Sequence, residues 1–402
     1  MRCSDRLVPP LVVHIIHRLS IGGLENGLVN LINHMPPHRY RHAIICLTEA
    51  TDFRKRLQRP DVPILVLHKR SGQDVGAHVR LWQILRLLRP AIVHTRNLAT
   101  LEYLIPAAVA RVPGRIHGEH GRDIYDLDGS RLKYNLLRKS LRPLVGRYVA
   151  VSRDLAHWLI HTVRADPERV SQIYNGVDVE RFQPRQGPRP AIGPAGFAPP
   201  EALVIGTVGR LEAVKDQLTL VRAFLHLLAA EPAGHQRLRL AIIGDGALRP
   251  EAQRLLRDAH AEHLAWLPGE RADIPRIMQA LDLFVLPSRA EGISNTILEA
   301  MASRLPVVAT RVGGNSELVI EGDTGMLVPP ESPFALASAI RTYLMHPAQA
   351  TRHGEAGRKR AETHFSIHGM VDGYLAIYDA VLNGRGPRHS SAWGRRTALF
   401  QD

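Results

Sequence analysis

Arg210 and Lys215 stand five positions apart in GRLEAVK (209–215), directly after the apolar run Leu203–Val208. A guanidinium grips oxygens in a bidentate fork and an ammonium adds a point charge, so such a pair at a strand's carboxyl end suits a diphosphate. A solvated surface pair is the competing reading. Glu291 and Glu299 flank seven residues in SRAEGISNTILEA (288–300), after the apolar run Leu283–Leu286. Two carboxylates placed at a strand end and in the following helix can accept hydrogen bonds from several hydroxyls, as a sugar and a ribose require. Glu299 is surrounded by Ile297, Leu298, Ala300 and Met301, where a carboxylate is costly to bury without a partner.

Three further points could carry chemistry. Gly244-Asp245-Gly246 ends the run Leu238–Ile243 and permits a tight turn with close backbone approach to a ligand. Gly22-Gly23, after Leu11–Leu19, opens a helix whose backbone N–H groups would face an anion. His120 closes Arg115–His120, where it could donate or accept near a substrate. Each also has a plain reading, a turn for the glycines and a bystander role for one of 21 histidines.

The elements that must position these residues follow from periodicity. Strands are expected at Leu11–Leu19, His42–Leu47, Ile64–His68, Ala91–His94, Arg115–His120, Tyr148–Ser152 and Val170–Tyr174. Amphipathic stretches such as Val79–Leu88 fall between them, and strand–helix alternation means a doubly wound parallel sheet. The Pro/Gly-broken segment Pro184–Pro200 reads as an interdomain linker. After it the pattern restarts with strands at Leu203–Val208, Leu238–Ile243, Leu264–Leu267, Leu283–Leu286 and Val307–Ala309. The α/β chain therefore divides into residues 1–185, residues 186–365, a helix near 366–383 and a mobile tail at 384–402.

Composition narrows the class. With 402 residues, 45% hydrophobic, the chain is long enough for two cores and is no disordered polymer. Two cysteines make no disulfide framework, and no apolar run approaches the ~20 residues of a membrane span. A cytoplasmic protein is the expectation. The net charge of +14 is lopsided: residues 1–185 hold 29 Lys and Arg against 16 Asp and Glu, a net of +13. The first half thus favours an anionic partner. Arg131–Arg147 (RLKYNLLRKSLRPLVGR) reads as a basic amphipathic helix that could lie on anionic lipid or pack its leucines on the core. It lacks the interleaved aromatics of a nucleic-acid surface, so no nucleic-acid partner is expected.

Taken together, these segments resemble retaining glycosyltransferases of family 4 (glycosyl transferases group 1), which have the GT-B architecture of two Rossmann-like domains facing across a cleft. The resemblance is carried by GGLE at 22–25, GEHGRD at 118–123, VSRDL at 151–155, NGVDVERF at 175–182, GRLEAVKD at 209–216, GDGALRPE at 244–251 and SRAEGISNTILEAMASRLPVVATRVGGNSELV at 288–319. The stretch GEHGRDIYDLDGSRLKYNLLRK is similar to exopolysaccharide-associated sugar transferases that accompany exosortase systems.

The resemblance implies that the first domain holds a glycan or lipid-linked acceptor and the second a UDP- or GDP-sugar. Arg210 and Lys215 would hold the diphosphate, Glu299 the ribose, and Glu291 the transferred sugar. Gly22 and Gly23 would approach the donor from the facing domain, and His120 would line the reacting centre. Gly244, Gly246 and Gly292-Ile293-Ser294-Asn295 would line the donor site, with Arg271 beside the base near Leu267–Arg271. The C-terminal helix would cross back to the first domain. No Asp-x-Asp ends a strand of the second half; Asp126-Leu127-Asp128 has that spacing but lies in the first. No metal and no cofactor are expected, with retention by front-face attack and peripheral attachment to the inner membrane face. A nucleotide-sugar epimerase or a phosphorylase on the same fold, or a non-catalytic assembly partner, are the alternatives.

Overall fold

The computed structural model describes residues 8–122, 126–127, 129–230 and 237–384. These form two compact units. One comprises the residues up to Val151, Leu155–Ile173 and those from His368 onward; the other comprises Ser152–Asp154 and Tyr174–Ile367. The tail from residue 385 lies outside the described residues, as does Asp128.

In the first unit seven parallel strands run in the order β3-β2-β1-β4-β5-β6-β7. They are β1 (Leu11–Ile16), β2 (Arg41–Cys46), β3 (Ile64–Val66), β4 (Ile92–Arg96), β5 (Gly114–Glu119), β6 (Arg147–Ala150) and β7 (Val170–Gln172). The central strand β1 (LVVHII) pairs Val12 with His42 of β2 and with Ile92 of β4. Its β-branched residues fill a sheet covered on both faces. The helix expected at Val79–Leu88 begins earlier, at Val75, because the Asp74 carboxylate caps it by accepting from the Ala77 N–H at 3.0 Å.

The C-terminal helix Ile367–Leu382 belongs, from His368 on, to this unit. Asp379 accepts from the Tyr40 hydroxyl at 2.7 Å and from Arg39 at 2.6 Å, and the Tyr378 hydroxyl lies 3.2 Å from His94 Nδ1.

The second unit has six parallel strands in the order β10-β9-β8-β11-β12-β13. These are β8 (Leu203–Val208), β9 (Leu238–Ile243), β10 (Ala265–Gly269), β11 (Leu283–Leu286), β12 (Val307–Thr310) and β13 (Gly325–Val328). Sequence reading misses β13, a four-residue GMLV between turns. Its core joins Ile205, Leu220, Phe224, Ile242, Val285 and Ile340. In both sheets the order reverses beside the first strand of the unit, β1 or β8, and crevices at such points are where open α/β sheets bind ligands.

Pro184–Pro200 is not the interdomain linker that its composition suggests. The units divide at Ile173, and the proline-rich segment is a strap on the second unit. Ile192 and Phe197 are buried, Arg189 donates to the Ala202 carbonyl and to Asp282, and Arg239 Nε donates to the Phe197 carbonyl. Proline lacks an N–H, which disfavours it in the middle of a sheet, and no strand forms in this segment.

Candidate active site

In the second unit the segments after β8 and β11 meet. Lys215 Nζ donates to Glu291 Oε1 at 2.6 Å, and the Ser288 hydroxyl donates to the same oxygen at 2.7 Å. The Glu291 side chain is 6% exposed and that of Lys215 24%, so the pair is sheltered yet open enough for a ligand to reach. Backbone and side chain clasp the two segments: Arg289 N–H donates to the Val214 carbonyl at 2.8 Å, and Arg289 Nε lies 3.3 Å from Asp216 Oδ2. Asp216 takes a φ of +47° and also accepts from the Thr219 hydroxyl at the start of the next helix.

Two glycine pairs hold these loops down. A Cβ on Gly313 (φ +47°) would land on the Glu291 carbonyl oxygen, and one on Gly314 on that of Gly292. Gly244 (φ +131°) and Gly246 (φ +153°) press likewise against the carbonyls of Gly209 and Leu211. On the side of the missing Cβ, Gly244 and Gly246 meet the backbone that carries Arg210.

Arg210 is turned to Glu212 Oε1 at 3.0 Å, and its carbonyl accepts from Gln217 Nε2. The structure thus brings Lys215, Glu291 and Ser288 together, while Arg210 is paired separately. Ser294 caps the helix Asn295–Ala302 by accepting from the Ile297 N–H, and Asn295 Oδ1 accepts from Asn175. Gly292 and Ile293 are buried under the loop, and Glu299 is half-buried within that helix. Arg271, after β10, forks onto Asp273 with two 2.8 Å bonds and lies 5.9 Å over the Trp266 ring.

In the first unit Gly22 caps the helix Gly23–His34 in an extended conformation. The space of its missing Cβ is taken by the Glu25 carboxylate. His120 follows β5. Its N–H donates to Asn97 Oδ1 at 2.7 Å, and neither ring nitrogen has a hydrogen-bond partner among the described residues. Burial and the Arg96 guanidinium hold its pKa down at about 3, so the imidazole is neutral.

The basic helix Leu132–Leu141 is inverted relative to the core-packed arrangement, one of the two that its sequence allows. Asn135 (4%) and Arg138 (3%) face inward, while Leu132 (77%), Leu136 (62%) and Leu137 face out beside Lys133 and Lys139. Arg138 Nε donates to Glu119 Oε1 at 2.8 Å and its guanidinium lies 4.7 Å from the Trp158 ring. Burial alone would raise the Glu119 pKa, but Arg138 and His117 hold it at about 2. Asp126 is buried and accepts from the Arg131 N–H.

Residues 21–181 match the family model Glycosyltransferase Family 4, and residues 202–346 match Glycosyl transferases group 1. Each unit thus contains a segment that matches a glycosyltransferase family model. The chain is 33% identical to D-inositol 3-phosphate glycosyltransferase 2 of Catenulispora acidiphila over 52% of this chain and 50% of the relative. It is 33% identical to the lipopolysaccharide core biosynthesis mannosyltransferase LpcC of Rhizobium leguminosarum over 52% of this chain and 59% of that one. The chain thus spans little more than half the length of these relatives. Among solved structures, HepE of Anabaena, crystallised with UDP and glucose, superimposes with a TM-score of 0.77 at 20% identity over 92% of this chain and 100% of that one. A glycosyltransferase from Rickettsia africae gives 0.76 at 21% identity, over 93% and 99%. The fold is GT-B.

In the group 1 domain, sequence reading missed Ser288 as a partner of Glu291, although the serine stands in the quoted segment. In the family 4 domain it missed Asn97, which follows β4 as His120 follows β5. The signal is a polar residue within two positions of the end of a strand next to the reversal point. Among the described residues no cluster of three or more His, Cys, Asp and Glu is arranged to hold a metal ion, and no helix is long and apolar enough to cross a membrane.

Proposed function

We propose that this chain is a retaining glycosyltransferase that moves a sugar from a UDP- or GDP-sugar to a glycan or lipid-linked acceptor, without a metal ion. The observation that carries the reading is Lys215 paired with Glu291 beside the reversal point of the second sheet. A nucleoside diphosphate leaves with growing negative charge. A fixed ammonium aimed there stabilises that charge without reorganisation. Arg210 adds its guanidinium by leaving Glu212, and the N–H groups of Gly292–Asn295 at a helix start supply further donors. Glu291 accepts from hydroxyls of the transferred sugar, and Glu299 from the ribose. Arg271 lies beside the base.

In the reaction the bond from the anomeric carbon to the phosphate oxygen breaks as the acceptor oxygen bonds to that carbon from the same face. The acceptor proton passes to the departing phosphate oxygen. Neutral His120, with Gly22 and Gly23, serves as donor or acceptor to a sugar hydroxyl. The net charge of +13 on residues 1–185 supports an anionic acceptor, and relatives named for inositol phosphate and lipopolysaccharide core point the same way.

The cellular role proposed is assembly of an exopolysaccharide or another surface polysaccharide at the inner membrane face, as the segment 118–139 suggests. The inverted helix supports the membrane part. Between Gly129 and Arg153 there is no acidic residue, and the exposed leucines sit among Arg131, Lys133, Lys139 and Arg142. Leucine with lysine and arginine on one solvent face suits an anionic bilayer.

Incubation with UDP- and GDP-sugars, with and without a membrane lipid extract, tests the activity. Transfer requires extract or glycan and releases nucleoside diphosphate. A new nucleotide-sugar formed without acceptor would instead indicate an epimerase, and a requirement for orthophosphate a phosphorylase.

A further inference from the structure

β4 ends at Arg96, and the chain then turns through Asn97 with φ +59° and ψ 169°. That conformation is open to glycine and costs other residues about 1–3 kcal/mol, so an asparagine there needs a reason. Its side chain supplies one. The Asn97 N–H donates to the Gly118 carbonyl at 2.8 Å, and Asn97 Oδ1 accepts from the His120 N–H at 2.7 Å. One residue thus grips the end of β5 on both sides of Glu119. The imidazole it controls lies back against the strand. A Cβ on Gly118 would stand 3.0 Å from His120 Nε2 and 3.1 Å from His94 Nε2, so the ring keeps its place because residue 118 has none. Both nitrogens of that ring lack a partner among the described residues.

We infer that Asn97 is a positioning residue for His120, using the strained turn after β4 to fix the backbone from which the imidazole meets a hydroxyl of the reacting sugar. The inference rests on the proposed role of His120. Asparagine carries the acceptor and bears the backbone cost. Glycine removes that cost and the acceptor together, alanine keeps the cost without the acceptor, and aspartate keeps both.

That difference gives the test. Asn97→Gly keeps the backbone conformation and removes the acceptor. It is expected to lower kcat by about 10- to 100-fold, the range for a slightly misplaced reacting group, with donor KM within about twofold and an unchanged melting temperature. Asn97→Asp restores most of the rate. In a His120→Ala background, Asn97→Gly has no further effect, because a residue acting through another is non-additive with it. Wild-type kcat in Asn97→Gly, or an equal loss with and without His120, overturns the inference. Wild-type kcat in His120→Ala overturns the role of His120 and this inference with it, and that variant alone separates the two failures.

Discussion

Lys215 and Glu291 are 76 positions apart and follow two different strands, yet Nζ and Oε1 are 2.6 Å apart. The cation proposed for the phosphates and the carboxylate proposed for the sugar therefore share one hydrogen bond, with Ser288 on the same oxygen. Glu291→Gln keeps an acceptor but loses the charge that aligns the lysine. It should bind UDP or GDP with affinity within about threefold of wild type and lower turnover by about 10²-fold, the scale of one lost electrostatic contact in a transition state. Steady-state nucleotide release beside calorimetric affinity checks this split. A parallel loss of both would assign Glu291 to ground-state binding.

His14, His42 and His94 are buried around Arg96, and the hydrogen bonds fix their protonation. Arg96 donates to His14 Nδ1 at 3.0 Å, so His14 carries its proton on Nε2 and donates to His42 Nδ1 at 2.9 Å. Burial first, then Arg96 or Arg59, lowers all three below 6.5, His42 to about 3. Because the unfolded chain binds these protons from about pH 6.5 downward and the folded one does not, stability is full above that pH and falls below it. Each histidine contributes up to about 1.4 kcal/mol per pH unit. Urea midpoints should drop between pH 7 and pH 5, before most carboxylates titrate. A midpoint constant over that interval would contradict the neutral cluster.

Gly313→Ala should cost about 2–4 kcal/mol, as substitutions combining backbone strain with a clash do. It should also reduce turnover, because the new Cβ displaces the Glu291 carbonyl. Gly322 has a similar φ of +76° with open space around it, so Gly322→Ala carries strain alone, about 1 kcal/mol. Equal urea midpoints for the two variants would refute the contact.

On the inverted helix, Leu132→Ser with Leu136→Ser removes exposed side chains and should leave the melting temperature within about 2 °C, since surface changes are usually within ±0.5 kcal/mol. Flotation with phosphatidylglycerol vesicles should fall severalfold, and wild-type binding should weaken with salt. Arg138→Ala behaves oppositely. It leaves Glu119 buried without its cation and should destabilise by about 3–5 kcal/mol. Vesicle binding unchanged by the leucine substitutions would remove the helix from the membrane.

Most of this fold is legible in the sequence because runs such as LVVHII and LRLAII can only be buried strands, and a glycine or cation after each marks a functional edge. What pattern reading cannot give is a partner chosen at long range. Leucine spacing leaves Leu132 and Leu136 free to face the core or turn away from it, whereas Glu119, carried on β5, draws Arg138 in and leaves these leucines outward. Pro184–Pro200 looks like a linker by composition, yet Ile192 and Phe197 are buried and Phe197 lies against Trp266 of β10. Likewise Arg210 and Lys215 read as one cationic pair, whereas the structure divides them between Glu212 and Glu291.

The central claim is that Lys215 receives the diphosphate of a nucleotide-sugar. Calorimetric titration of UDP and GDP into the wild-type protein and Lys215→Ala tests it most directly. The account predicts saturable binding of one nucleotide to the wild type and a loss of at least about tenfold in the variant, equivalent to about 1.4 kcal/mol. Equal affinity in the two proteins, or no saturable binding of either nucleotide to the wild type, would contradict it.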